Sequence, residues 1–150
     1  MDLKEAKARV KEAAERFGLP LMDREMTYNT RLAQELGAWA ETQGKGDEFH
    51  NAVFRAYFVD GKNIGQASVL IDVAGSIGFP EGEAQKVLEG RAFREVVDFD
   101  WARCRRMGVT AVPTAVIGRQ AVIGAQPYQA FEELMRVCGV KRRLLSPAPA

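Results

Sequence analysis

The chain has 150 residues, 47% apolar and 27% charged, with a formal net charge of +1, which is enough length for one domain with a substantial core. So balanced a charge leaves no electrostatic footprint for nucleic acid or an anionic membrane, and no apolar run approaches the roughly 18 residues that span a bilayer. Two cysteines and one histidine give neither a disulfide framework nor a recognisable structural zinc site, and the charged start MDLKEAKARV is no apolar signal peptide, so a cytoplasmic, metal-free protein is expected.

In chain order, Leu3, Ala6, Val10, Ala13, Ala14 and Phe17 recur at helical spacing and predict an amphipathic helix that Gly18 and Pro20 stop. Leu19 to Tyr28 has no periodicity and reads as a surface connection. Asn29 or Thr30 then caps a second helix with Leu32, Leu36, Trp39 and Ala40 on its buried side and Gly44 at its end. Asp47 is the expected cap of a third helix, whose apolar face holds Phe49, Val53, Phe54 and Tyr57 before Gly61. Val69, Leu70, Val73, Ala74 and Ile77 predict a fourth helix. A fifth starts near Pro80, with Glu81 and Glu83 suited to its N-terminus, and closes at Gly90.

From Ala92 to Met107, the residues Phe93, Val97, Trp101, Cys104 and Met107 fall on one helical stripe. Thr114 to Ile117 and Gln120 to Ile123 read as two strands joined by the turn Gly118-Arg119. Pro127 opens a last helix with Phe131, Leu134, Met135 and Cys138 on its core face, ending at Gly139. The chain then divides into a helical region, 1–107, a strand-strand-helix unit, 108–139, and a basic tail rich in proline and alanine, 140–150, of which Leu144 to Ala150 is expected to be disordered. The arginines around Cys104 and the basic run Lys141 to Arg143 read as solvated helix ends.

The pieces YNTRLAQELGAWAETQGKG, FHNAVFRAYFVDGKNIG, GVTAVPTAVIGRQAVIGAQPY and FEELM resemble the DsbA family of thioredoxin-fold oxidoreductases over roughly residues 26–137. More narrowly they resemble its FrnE-like branch, beside the 2-hydroxychromene-2-carboxylate isomerases and kappa-class glutathione transferases. The resemblance implies a mainly α fold with a small β-hairpin: a helical insertion followed by the C-terminal strand-strand-helix part of a thioredoxin-like fold. It also implies that the N-terminal half carrying Cys-x-x-Cys is absent, since Cys104 and Cys138 are the only cysteines. It assigns Val112-Pro113 as a cis bond, with Val112, Pro113 and Thr114 as the substrate-contact loop, free to bond an extended peptide or glutathione. Taken without it, Pro113 reads as a trans proline opening an edge strand.

Other residues carry weaker readings. Arg31 reads as a residue able to reach an anionic ligand, and Gln126 lies before a helix start able to bind a carboxylate or phosphate, though capping explains Asn29 equally. Cys104 and Cys138 read as core cysteines, His50 as a surface or interface histidine, and Trp39, Trp101, Phe54, Tyr57 and Phe58 as core aromatics or the wall of a groove. No residue is assigned a catalytic role, and no cofactor is expected beyond glutathione as a ligand. The leading expectation is a protein of the thiol-disulfide oxidoreductase family that is redox-silent alone. The alternatives are a non-catalytic binding or scaffold module and a glutathione-dependent isomerase-like protein. An open hairpin edge also predicts a homodimer.

Overall fold

A computed structural model describes residues 3–23 and 26–141. Its elements are α1 (Leu3–Arg16), α2 (Arg31–Thr42), α3 (Gly46–Phe58), α4 (Ala67–Ser76), α5 (Glu81–Gly90), α6 (Arg94–Arg106), β1 (Thr114–Ile117), β2 (Gln120–Ile123) and α7 (Tyr128–Val137). The mainly helical chain with one antiparallel hairpin is thus the fold that forms. It divides into two compact units, Met1–Asp100 and Trp101–Ala150, with α6 running through the boundary. The proline- and alanine-rich end lies outside the described residues from 142 onward. Among the described residues, no helix is long and apolar enough to cross a membrane.

In the first unit, α2 to α5 build the core. Ala33, Leu36, Gly37 and Ala40 recur at helical spacing in α2 and are all buried. The small size of Ala33, Gly37 and Ala40 brings α3 close, so that a Cβ on Gly37 would stand 3.0 Å from His50 Nε2. Against this face lie Phe49, Val53 and Ala56 of α3, Leu70, Val73 and Ala74 of α4, and Ala84 and Leu88 of α5. Phe49, Leu36 and Leu70 are withdrawn completely from solvent, each contributing about 1.5–3 kcal/mol of burial energy. The rings of Trp39 and Phe79 meet at 4.3 Å. Lys45 places its Nζ 5.0 Å from the Phe79 centroid and donates to Ile77 O at 2.9 Å, tying the start of α3 to the turn before α5.

One buried charge anchors this unit. Glu35 is 1% exposed. Its carboxylate accepts two bonds of 2.7 Å from Arg91 and one of 2.7 Å from Arg31. Arg31 in turn pairs with Asp98 at 2.8 Å and donates to Arg94 O at 2.8 Å. The clamp therefore joins α2 to the α5–α6 turn and to the first turns of α6. Arg91 directly beside it lowers the Glu35 pKa from 4.5 to about 2, against the opposing effect of burial, with Arg31 adding to the shift.

Several local expectations are corrected. Gly90 is the last residue of α5, where the sequence places the end of that helix, but the left-handed φ of +50° falls on Arg91 after it. A non-glycine residue there is strained, and the bidentate bond to Glu35 offsets the strain. Asp47 is not a cap: α3 begins one residue earlier, so Asp47 and Glu48 act on the helix dipole from inside the first turn. At α2, Thr30 makes no capping bond from its side chain, whereas Asn29 Oδ1 accepts the Arg31 N–H at 2.9 Å. Cys104 is exposed rather than buried, and Trp101 and Met107 on the same stripe are 42% and 49% exposed. Only Val97 of that stripe is buried, with Phe93 packed on the core. Phe54 is 59% exposed, as are Val10 and Phe17 of the first helical stripe at 52% and 70%. Periodicity identifies residues that share a face, but whether a neighbour covers that face depends on long-range packing.

Glu35→Gln should lower unfolding free energy by about 3 kcal/mol at neutral pH, because it leaves two guanidinium groups without their buried counter-charge. The folded pKa lies below the unfolded one, so the contribution of Glu35 is complete above pH 4.5 and is lost as pH falls from 4.5 towards 2. Urea titrations across that window should show the gap between the parent and Glu35→Gln closing. Arg91→Gly should also destabilise, although it relieves the left-handed backbone. A gain in stability would show that strain outweighs the clamp.

Candidate functional site

The second unit is organised around residues 108–127. Gly108, with a φ of +71°, ends α6, and Val109 N–H returns to Cys104 O at 3.0 Å. The chain then runs through an exposed bend to the cis peptide Val112-Pro113, where Val112 is 87% exposed. Thr114 Oγ1 donates to Ala111 O at 2.6 Å and holds the bend against the start of β1. At the opposite strand end, Gln126 Nε2 donates to Ile123 O at 3.0 Å.

The register fixes which main-chain groups are used. Gly118 takes a φ of +59° and Arg119 has no positive φ, the order of a type II′ turn. Ile117 and Gln120 flank that two-residue turn and pair with each other, followed by Val116 with Ala121, Ala115 with Val122 and Thr114 with Ile123. Bonded and non-bonded pairs alternate in an antiparallel ladder, so Ile117–Gln120 and Ala115–Val122 exchange the bonds. The Gly124 N–H donating to Pro113 O at 2.7 Å continues the same step of two. Thr114 and Val116 therefore turn N–H and C=O away from β2, towards the outer edge of β1. The sheet has two strands, so among the described residues that edge is unpaired.

The two faces of the hairpin differ as well. α7 packs against β2, Leu134 is buried, and Cys138 donates its thiol to Ile117 O at 3.5 Å. Val122 is half-buried, whereas its neighbours Ala121 and Ile123 are exposed. Strand alternation places Thr114, Val116, Ala121 and Ile123 together on the face away from α7.

The remaining candidates are dispersed. Arg31 belongs to the Glu35 clamp in the helical unit, where its guanidinium is held by Glu35, Asp98 and Arg94 O. Cys104 and Cys138 are free thiols. His50 is exposed on α3 against Gly37. Among the described residues, no group of three or more histidine, cysteine or acidic side chains is placed to hold a metal. Sequence reasoning passed over Glu35, Arg91 and the outward groups of Val116. The Val116 groups follow from strand parity once the Gly118-Arg119 turn is recognised, but the Glu35–Arg91 pair has no local signal.

Residues 2–136 match the family model of the DSBA-like thioredoxin domain. Over 105 residues the chain is 31% identical to the uncharacterized protein YwbO of Bacillus subtilis, covering 69% of this chain and 52% of that protein. The chain thus spans about half the length of the curated relative it matches. Among solved structures, a probable DsbA oxidoreductase from Streptomyces coelicolor superposes with a TM-score of 0.80 at 25% identity, covering 100% of this chain and 67% of that one. A 2-hydroxychromene-2-carboxylate isomerase superposes with a TM-score of 0.77 at 23% identity, covering 91% and 67% respectively, a likeness of fold.

Proposed function

Because the chain belongs to the DSBA-like thioredoxin domain family, we propose that it supplies the substrate-contact part of a thiol-disulfide oxidoreductase of the FrnE-like branch. The carrying observation is the exposed Val112 beside a strand whose Thr114 and Val116 main-chain groups point off the hairpin. An extended peptide adds to such an edge through main-chain bonds and needs no particular side chain to do so. Val112, Pro113 and Thr114 are the proposed contact loop, and glutathione offers the same extended peptide chemistry. Gln126 is committed to Ile123 O, so its part is to hold the strand end.

Exchange chemistry needs an attacking thiolate and a nearby resolving thiol. The two cysteines form no Cys-x-x-Cys, so these 150 residues alone are redox-silent in this reading, and the dithiol comes from another segment or polypeptide in the cytoplasm. In a turnover assay with insulin and dithiothreitol, the chain should not accelerate reduction beyond dithiothreitol alone. Acceleration abolished by Cys104→Ser would overturn the proposal.

A second reading is a non-catalytic homodimeric binding module, which the unpaired edge of β1 favours. Short hairpins are marginal alone, and an uncharged edge of Thr114, Ala115, Val116 and Ile117 lacks the lysines and prolines that deter pairing. A glutathione-dependent isomerase-like role would need a serine or cysteine opposite Val112, and titration calorimetry with glutathione is its test. Sedimentation at micromolar concentration should give a dimer. Val116→Pro removes an N–H that the hairpin does not use, so it should preserve the fold by circular dichroism and yield a monomer. An unchanged dimer would place the contact elsewhere.

A further inference from the structure

We propose that the hairpin face away from α7 binds an aliphatic monocarboxylate. A cavity of about 320 Å³ lies on that face, walled by Met107, Val109, Val116, Ala121 and Ile123, with Arg119 at the hairpin turn. The volume falls at the small end of the range for ligand sites, which suits a short-chain compound better than a nucleotide-sized one. No aromatic ring and no carboxylate lines it. Burial of a saturated chain is therefore the attraction its walls offer.

The polar groups of the cavity set the other end of the ligand. Thr114 also lines it, but its hydroxyl donates internally to Ala111 O. Arg119 forms no ion pair among the described residues, leaving its fork of donors available to a carboxylate. A cation at one end of an aliphatic trough selects a molecule that is apolar along its length and anionic at its head. The groove and the outer edge of β1 face different directions, so although Thr114 and Val116 belong to both, the groove uses their side chains and the proposed peptide contact their main-chain groups.

The test uses the full 150-residue chain with octanoate and octan-1-ol as probes, followed by the methyl resonances of Met107, Val109, Val116 and Ile123. Octanoate should shift all four and bind about two- to fivefold more tightly than octan-1-ol, the advantage of one solvent-exposed charge pair. Arg119→Gln should erase that difference while leaving the methyl shifts in place, because the apolar walls are unchanged. Val116→Phe should fill the trough and weaken both probes. Absence of shifts up to the micelle threshold, shifts confined to other methyl groups, or equal affinity for acid and alcohol in the parent chain would each overturn the proposal. Turnover in a disulfide assay has no bearing on these outcomes, so this site and the proposed exchange role stand or fall separately.

Discussion

The helical unit depends on the carboxylate of Glu35. Apolar packing alone holds helices together without strongly fixing their rotation, because many small shifts of a leucine or alanine surface are nearly equal in energy. A planar guanidinium on a carboxylate is directional, and Glu35 receives two, from Arg31 on its own helix and Arg91 at the end of α5. Arg31 carries the constraint on to Asp98 and Arg94 O in the first turns of α6. One buried charge thus fixes where α5 stops, how the chain turns and how α6 starts. Desolvation makes such an arrangement expensive in isolation, and satisfaction of both carboxylate oxygens is what makes it tolerable.

The second unit has no comparable anchor. Among the described residues of this unit Leu134 alone is a buried hydrophobic, while Val112, Ile123, Tyr128, Met135 and Val137 remain exposed. A two-stranded ribbon with one helix on one face needs further surface to become independently stable. The same deficit gives this region its binding potential: an edge with outward amide and carbonyl groups and a face with an aliphatic trough are both features that a completed core would have consumed.

Legibility in the sequence followed the range of the interactions. Helices α2 to α5 were readable because apolar spacing and glycine punctuation are local, and the hairpin because Gly118 meets the backbone demand of its turn. Arg31 reads in the sequence as a cation able to reach an anion. Its partner proved to be internal, and nothing near Arg31 in the sequence indicates that Arg91, across the helical unit, shares the same carboxylate. Cys104 and Trp101 failed for the converse reason. They obey the helical stripe faithfully, but a stripe becomes core only where another element lies against it, and that information is absent from any single window.

The two proposed modes of recognition in the hairpin divide between backbone and side chains. Along the edge of β1, Thr114 and Val116 present groups that every residue possesses, so affinity there depends on extended conformation and accessibility and little on sequence. On the face, by contrast, Val116 and Ile123 contribute hydrocarbon and Arg119 contributes charge, which are properties that substitution alters readily. Val116 participates in both through opposite ends of the same residue: its amide lies in the plane of the sheet and its side chain stands perpendicular to it. Val116→Pro removes the amide while exchanging the isopropyl group for a ring of similar size, whereas Val116→Phe keeps the amide and enlarges the side chain, so strand addition is lost in the first alone and ligand uptake is weakened most in the second.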